Sequence, residues 1–236
     1  MSKGLFIVGT DTDVGKTFIT AGITYILRKN GYKAISFKPI QSGGILKDNK
    51  LISGDVDFVR QVADIREEDV VMNSYCLKEA VSPHIAAEKE KVEIHVDKII
   101  DDYQRLKTAY DYVIVEGAGG IVVPLIRERY YIYDLIQELN IPVLIVARAG
   151  VGTINHTALT AAYLKGRGIE IKGCIINQYS GSYFEKDNIE VIQKITGIKV
   201  FGMVDKMDIK EEHGNVLDIR QGFERNLKID NLLSLF

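Results

Sequence analysis

Cysteine is scarce in this chain of 236 residues, which holds only Cys76 and Cys174, far apart and outside any Cys-x-x-Cys pair. The four histidines have no mutual spacing that suggests metal ligation. These absences exclude a disulfide framework and a zinc site of the usual spacing. Cys174 lies within an apolar run, where a free thiol behaves as a small core residue. We therefore expect a reduced, cytoplasmic protein.

Long apolar runs and an excess of one charge are also missing. No apolar stretch reaches about 18 residues, the length that a membrane-spanning helix needs, and we expect no secretory leader. Lysine and arginine number 30 against 32 aspartate and glutamate residues, giving a formal charge of −2. Such a balance supplies no basic field to attract nucleic acid or an anionic membrane. We predict neither as a partner.

Proline is rare as well, with four scattered residues, and no Gly/Ser-rich linker or low-complexity segment divides the chain. The length and a hydrophobic content of 46% suffice for one large core. We predict a single domain over residues 1–236.

Short apolar runs alternate with amphipathic segments along the chain. The runs are rich in β-branched residues and predict buried strands at 5–8, 34–37, 112–115, 143–147, 173–176 and 199–201. Helical periodicity predicts helices around 19–27, 55–63, 96–106, 131–139, 153–165 and 184–195. Alternating strands and helices indicate an α/β fold with a mostly parallel sheet and helices on both faces. Ligands of such sheets bind beyond the C-terminal ends of the strands.

Residues 9–17, Gly-Thr-Asp-Thr-Asp-Val-Gly-Lys-Thr, join the first strand to the first helix. Free N–H groups at a helix start, with the positive end of its dipole, attract polyphosphate oxygens. Lys16 can reach the terminal phosphates, and the Thr17 hydroxyl can ligate Mg²⁺. The loop has five residues between its glycines where the usual pattern has four, so it is a variant. We predict a single P-loop NTPase-like α/β domain.

Two further strands end in residues that suit phosphoryl transfer. Lys38 follows the second strand, where its ammonium either neutralises a transferring phosphoryl group or is a surface charge. Glu116 ends the third strand, where nucleotide-hydrolysing folds hold Mg²⁺. The glycines that follow it, at 117, 119 and 120, either allow a ligand to approach the backbone or form a tight turn.

Asp55 has two interpretations. It is either a second carboxylate ligand of Mg²⁺ or, like Ser53, a cap for the helix that follows. In Ser82-Pro83-His84 the serine suits a helix cap and the proline a first helical turn. That segment alone therefore gives no evidence of catalysis.

Five segments together resemble the dethiobiotin synthetase family in their order and spacing. They are residues 9–17, FKPIQSG at 37–43, SPH at 82–84, VEGAGG at 115–120 and GTINH at 152–156. Each segment occurs in other P-loop proteins, whereas the five together are specific. The resemblance implies a ligase that uses ATP, Mg²⁺ and CO₂ to close the ureido ring of dethiobiotin from 7,8-diaminononanoate.

The resemblance also implies roles for individual residues. Lys16 and Lys38 would be catalytic, stabilising the transferring phosphate. Thr17, Asp55 and Glu116 would hold Mg²⁺. The nucleotide would contact Thr12, Asp13, Val14, Gly15, Lys16, Thr17, Asp55, Glu116, Gly117, Gly119, Asn177 and Gly202. The diamine and its carbamate would contact Ser42, Gly117, Ala118, Gly119, Gly150, Val151 and Asn155.

In this family the 150–155 segment of a second subunit holds the substrate carboxylate. The resemblance therefore implies a homodimer with shared active sites. Family members often have a proline in the wall of the adenine site, where this chain has Asp205. No Asn-Lys-x-Asp guanine signature replaces it, so ATP is preferred.

Three other classes have a loop of this kind. Cobyric- and cobyrinic-acid amide synthases carry a nucleophilic Cys, and neither cysteine here lies in such a setting. Partition- and septum-type ATPases have a Lys early in the loop, where this chain has Thr10-Asp11-Thr12. An inactive P-loop module that only binds a partner is disfavoured, because both lysines and all three predicted metal ligands are present.

Overall fold

The computed structural model describes residues 3–67, 71–207 and 215–236. Within these ranges the strands are β1 Lys3–Gly9, β2 Ala34–Gln41, β3 Ile45–Lys47, β4 Lys50–Ile52, β5 Asn73–Cys76, β6 Tyr112–Gly120, β7 Pro124–Ile126, β8 Tyr130–Tyr131, β9 Val143–Arg148, β10 Ile171–Tyr179 and β11 Val200–Asp205. The helices there are α1 Lys16–Lys29, α2 Gly54–Ala63, α3 Pro83–Glu90, α4 Val96–Ala109, α5 Ile132–Leu139, α6 Thr153–Gly166, α7 Tyr183–Thr196, α8 Val216–Asn226 and α9 Ile229–Leu233.

Seven of the strands form one parallel sheet in the order β11-β10-β9-β1-β6-β2-β5. β3 with β4, and β7 with β8, form short antiparallel pairs outside this sheet. The predicted α/β fold with a parallel sheet is confirmed. No helix among the described residues is both long and apolar enough to cross a membrane.

Both faces of the sheet are covered by helices. All eight residues of β2 are buried, as are six consecutive residues of β1. Because successive side chains of a strand point to opposite faces, unbroken burial requires cover on each side. The connection from β1 to β2 runs towards the β5 edge, whereas that from β9 to β10 runs towards β11. Right-handed crossovers therefore place α1 and α6 on opposite faces.

The strand ends differ from the prediction at the positions that carry chemistry. All six predicted strands are present, but β2 continues through Gln41 and β6 through Gly120. Lys38 and Glu116 therefore lie within strands rather than after them. The apolar pattern stops at these residues, while backbone pairing continues, with Lys38 beside Asn73 of β5. β5 itself was missed because its four residues, Asn-Ser-Tyr-Cys, are half-buried and mostly polar.

Helix α8 packs closely on α1, the helix that follows the phosphate loop. A Cβ on Gly22 of α1 would lie 2.5 Å from the Phe223 ring, so the two helices meet where α1 has no side chain. The same ring lies 4.6 Å from that of Phe18, centroid to centroid. The C-terminal residues continue this cover, with Leu232 and Leu235 buried and the Phe236 ring against Tyr112.

The start of α7 allows a test of how its cap contributes to stability. The Glu185 carboxylate accepts hydrogen bonds from the Ser180 and Ser182 backbone N–H groups at 2.9 and 3.1 Å and from the Ser180 hydroxyl at 3.0 Å. Burial raises the pKa of Glu185, but these hydrogen bonds outweigh it and hold the pKa below its usual value near 4.5. The stabilisation is therefore complete above about pH 4.5 and is lost as the pH falls through the lowered pKa.

We predict that Glu185→Gln lowers the unfolding temperature at pH 7 by about 2–4 °C, equivalent to roughly 1 kcal/mol, since the helix N-terminus loses a negative charge. Calorimetric scans from pH 7 to pH 3 should show the difference from wild type shrinking at low pH. Glu190→Gln, at an exposed position of the same helix, is the control. A difference that stays constant across this range would contradict the charged cap.

Candidate active site

The phosphate loop is shaped by two left-handed residues and one contact from a distant strand. Asp13 has φ of 57° and Gly15, which precedes α1, has φ of 92°. A Cβ on Gly15 would lie 2.0 Å from the Asn177 amide nitrogen, so both conformation and space require glycine. That amide, on β10, donates to the Val14 carbonyl at 3.0 Å. Asn177 thereby fixes the loop against the sheet.

The start of α1 has the properties of an anion site. Among the described residues no side chain caps this helix, so its first N–H groups have no side-chain partner. Lys16, its first residue, is buried and its ammonium donates to the Asp11 carbonyl at 3.1 Å. Burial and the neighbouring Lys38 ammonium lower the pKa of Lys16 to about 8. A phosphate group placed here would relieve both effects.

A buried cluster of charged and hydroxyl groups lies beside the loop. The Lys38 Nζ is 2.7 Å from Glu116 Oε1, 2.7 Å from Asp55 Oδ2 and 3.3 Å from the Gly117 carbonyl oxygen. The Thr17 hydroxyl donates to the same Glu116 Oε1 at 2.7 Å. Three elements that are distant in sequence therefore converge on one carboxylate oxygen. We call Thr17, Lys38, Asp55 and Glu116 the carboxylate cluster.

The sheet register explains this convergence. β6 lies between β1 and β2, with Val115 beside both Phe6 and Phe37. Glu116 is therefore level with the end of β1 and with Lys38. Asp55 comes from the first turn of α2, whose cap is Ser53: the serine hydroxyl accepts from the Val56 N–H at 3.2 Å. Asp55 is thus not the cap, and its carboxylate is available to Lys38.

The charge on Lys38 is maintained by its partners. The ammonium is almost fully buried, as is Glu116, while Asp55 is partly exposed. Burial lowers the pKa of Lys38, but the carboxylates of Glu116 and Asp55 outweigh burial and raise the pKa above its ordinary value. Lys38 is therefore an ammonium throughout the physiological range.

The carboxylate cluster fits Mg²⁺ by the chemistry of its donors. Two carboxylates and a hydroxyl form an all-oxygen set, and Mg²⁺ is held in proteins by one or two carboxylates together with waters and substrate phosphates. Among the described residues, no three His, Cys, Asp or Glu side chains are placed so that they could hold a metal ion by themselves. The Lys38 ammonium, a cation on the shared oxygen, shows that these donors accept positive charge.

The cluster and the loop open into one cavity of about 820 Å³. Eleven of the predicted site residues line it: Thr12, Asp13, Gly15, Lys16, Thr17, Lys38, Ser42, Asp55, Glu116, Ala118 and Gly119. Ser42 Oγ is buried and has no hydrogen-bond partner among the described residues. A ligand hydroxyl, amine or carboxylate would satisfy it.

Nine further residues line the cavity that sequence reasoning did not place in the site: Phe18, Ile40, Gln41, Phe58, Ala80, Val81, Ser82, Pro83 and Val123. The available signal was the Ser82-Pro83-His84 segment, which we interpreted as a helix start. It is a helix start, since α3 begins at Pro83, but the same turn forms a wall of the cavity. The aromatic rings at 18 and 58 carry no local signal that separates them from core residues.

The remaining predicted residues lie outside this cavity lining. Val14 is fully buried, and Gly117 contributes its carbonyl to Lys38. Asn177, on β10, contacts the phosphate loop through Val14, whereas Gly202 lies on β11 at the edge of the sheet. Gly150, Val151 and Asn155 follow β9. Val151 is 88% exposed and so faces away from the interior of its own chain.

Comparison of the sequence with known proteins gives full-length relatives. The chain is 44% identical over 237 residues to the ATP-dependent dethiobiotin synthetase BioD of Clostridium kluyveri, which covers 99% of this chain and 98% of that protein. It is 45% identical over 207 residues to the ATP-dependent dethiobiotin synthetase BioD of Anoxybacillus flavithermus, covering 87% and 92% of the two chains. Residues 3–212 also match a family model described as an AAA domain.

Comparison of the structures gives more distant neighbours. A ParA family ATPase from Chlorobium tepidum matches with a TM-score of 0.61 at 13% identity, over 95% of this chain and 93% of that one. The cell division protein MinD of Aquifex aeolicus matches with a TM-score of 0.54 at 16% identity, over 95% and 96%. Identities this low establish the P-loop NTPase fold alone.

The predicted family is confirmed by relatives of 44% and 45% identity that cover 99% and 87% of this chain. This chain belongs to the ATP-dependent dethiobiotin synthetase family.

Proposed function

We propose that this protein is a Mg²⁺-dependent ligase that makes dethiobiotin from 7,8-diaminononanoate, CO₂ and ATP. One substrate amine combines with CO₂ to form a carbamate, whose oxygen attacks the γ-phosphate of ATP and displaces ADP. The resulting mixed anhydride is attacked by the second amine, which closes the five-membered urea ring and expels phosphate. The observation that carries the proposal is the carboxylate cluster, which lies between the phosphate loop and a cavity with an unpaired hydroxyl.

Phosphoryl transfer needs positive charge at the transferring group more than it needs covalent chemistry. The loop N–H groups and the Lys16 ammonium bind the phosphate chain. Lys38 neutralises the oxygens of the transferring phosphoryl group from the opposite side, and both lysines line the same cavity. Thr17, Asp55 and Glu116 would hold Mg²⁺, which when bound neutralises further phosphate charge.

The diamine and its carbamate occupy the part of the cavity beyond the cluster. Ser42 Oγ has no hydrogen-bond partner in the part of the chain that the structure describes, and Ala118 and Gly119 present a stretch of backbone with little side-chain bulk. Gly119 has a left-handed φ of 64°, a conformation that favours glycine. These groups orient the substrate so that its amines lie close to the phosphoryl group, which lowers the entropic cost of the reaction.

The nucleotide base lies towards β10 and β11 in this proposal. Asn177 is bound to the loop through Val14, and Gly202 is paired with Ile175 on the same strand, β10, two residues before Asn177. Asp205 ends β11 and accepts a hydrogen bond from Asn226 at 2.9 Å. A proline in its place would lack that contact, so the base wall differs here from the pattern common in the family.

The active sites are completed by a second copy of the chain. Gly150, Val151 and Asn155 lie outside the cavity of their own chain, and the exposed Val151 suits contact with a partner. We propose a homodimer in which this segment holds the substrate carboxylate of the neighbouring subunit. Both cysteines of the chain, Cys76 and Cys174, are free thiols, which suits the reduced cytoplasm.

The proposed reaction is tested by phosphate release from Mg-ATP with bicarbonate, with and without 7,8-diaminononanoate, while the product is identified by mass spectrometry. We expect release to require the diamine and a cyclic urea to form in equal amount. Release that ignores the diamine would contradict the ligase and indicate a nucleotide-switched ATPase.

Lys16→Ala should lower turnover by at least about 100-fold, because it removes charge stabilisation of the transferring phosphate. Its circular dichroism spectrum should match wild type, since Lys16 lies at a helix start and bonds only to a loop carbonyl. Lys194→Ala, at an exposed position on α7, is the matched control and should keep full activity. A loss below tenfold for Lys16→Ala would remove Lys16 from the transition state.

Nucleotide affinity should depend on pH through Lys16. Its pKa of about 8 in the free protein means that the ammonium prevails below pH 8 and the neutral amine above it. Measured by calorimetry with ADP in EDTA, the Kd should be nearly constant below pH 7.5 and rise by roughly tenfold up to pH 9.5. Lys16→Ala should bind more weakly, with little change over this range. Parallel curves for the two proteins would show that another group titrates.

A further inference from the structure

Lys38 and the proposed metal compete for the same atoms. The Lys38 ammonium contacts Glu116 Oε1 and Asp55 Oδ2, each at 2.7 Å, and Thr17 donates to the same Glu116 oxygen. These three side chains are the proposed metal ligands. A magnesium ion bound to Glu116 Oε1 at about 2.1 Å would lie within about 5 Å of the ammonium. Two cations so close in a buried site repel each other strongly.

The competition is sharpened by burial. Glu116 is 2% exposed, so it needs a positive partner at all times, and only a cation that enters the cavity can replace Lys38. The Lys38 ammonium is paired with two carboxylates at once, each at 2.7 Å, so it stays on them until another group takes its place. It leaves by moving, and it moves only if another anion takes its charge. The phosphate chain of the nucleotide is the anion that this cavity is built to bind.

We infer that Lys38 is an internal counter-ion that keeps Mg²⁺ out of the carboxylate cluster until a nucleotide draws its ammonium away. The lysine then passes to the phosphate oxygens while the metal takes its place on Glu116 and Asp55. Metal and nucleotide therefore bind together, and each raises the affinity for the other. The inference rests on the metal ligands proposed above and adds the order in which the site is filled.

The test measures Mn²⁺ binding in the absence of nucleotide, using the electron paramagnetic resonance signal of the free ion. Mn²⁺ stands in for Mg²⁺ because it takes the same oxygen ligands. Removing Lys38 leaves two carboxylates and a hydroxyl with no cation between them. We expect Lys38→Met to lower the Kd for Mn²⁺ by about tenfold or more relative to wild type. Lys38→Arg keeps the charge and should show no such gain.

Lys98→Met is the matched control. Lys98 lies 2.8 Å from the buried carboxylate of Asp102, outside the cavity, so this variant also removes a cation from a buried acid. The Mn²⁺ affinity of Lys98→Met should equal that of wild type.

If Lys38→Met is unfolded without metal, Lys38→Gln is measured instead, since the glutamine amide can donate a hydrogen bond to Glu116. Cooperative thermal unfolding of each variant establishes that it is folded.

An unchanged or weaker Mn²⁺ affinity in a folded, uncharged Lys38 variant would overturn the inference, as would an equal gain in Lys38→Arg. The outcome is separable from that of the ligase assay. Tighter Mn²⁺ binding without dethiobiotin formation would support the counter-ion and contradict the reaction. If wild type forms dethiobiotin but the uncharged Lys38 variant binds Mn²⁺ no more tightly than wild type, the reaction is supported and the counter-ion is contradicted.

Discussion

The buried carboxylate of Glu116 constrains the rest of the site. A carboxylate at 2% exposure is stable only with charged and hydrogen-bonded partners, and here Lys38 and Thr17 meet on one of its oxygens. Lys38 comes from β2 and Thr17 from the first turn of α1, while Glu116 itself lies on β6. The order β1-β6-β2 places these elements side by side, so the topology of the sheet and the charge balance of the site depend on each other.

This arrangement gives little net stability but fixes geometry. The attraction between the two charges of a buried ion pair roughly offsets the hydration that both charges lose. Well-packed apolar groups in the same place would therefore stabilise the fold at least equally. What the pair supplies is a set of charges held beside the phosphate loop, from which Lys38, in the function proposed above, passes to the oxygens of the transferring phosphoryl group. Lys16 belongs to the same arrangement, because Lys38 contributes to its lowered pKa although the two bond to different oxygens.

Sequence reasoning found the parts of the site that have short-range signals. The phosphate loop follows from its glycines and Lys16, and the buried strands follow from unbroken apolar runs. β5 and the cavity wall at Ala80–Pro83 were missed, because half-buried polar residues and a helix-start turn look the same whether or not a ligand lies beside them. The contact between Lys38 and Asp55 depends on how α2 packs, so no spacing in the sequence reveals it.

The fold alone does not decide the chemistry. A ParA family ATPase and the cell division protein MinD match this fold at 13–16% identity, and a phosphate loop serves a nucleotide-switched ATPase as well as a ligase. The difference lies beyond the loop: a switch needs only water at the γ-phosphate, whereas a ligase needs room for a second substrate there. In the function proposed above, that room is the part of the cavity beside Lys38 that is lined by Ser42, just after β2, and Gly119, near the end of β6. An acceptor placed there meets the phosphoryl group, which is the requirement for a transfer other than hydrolysis.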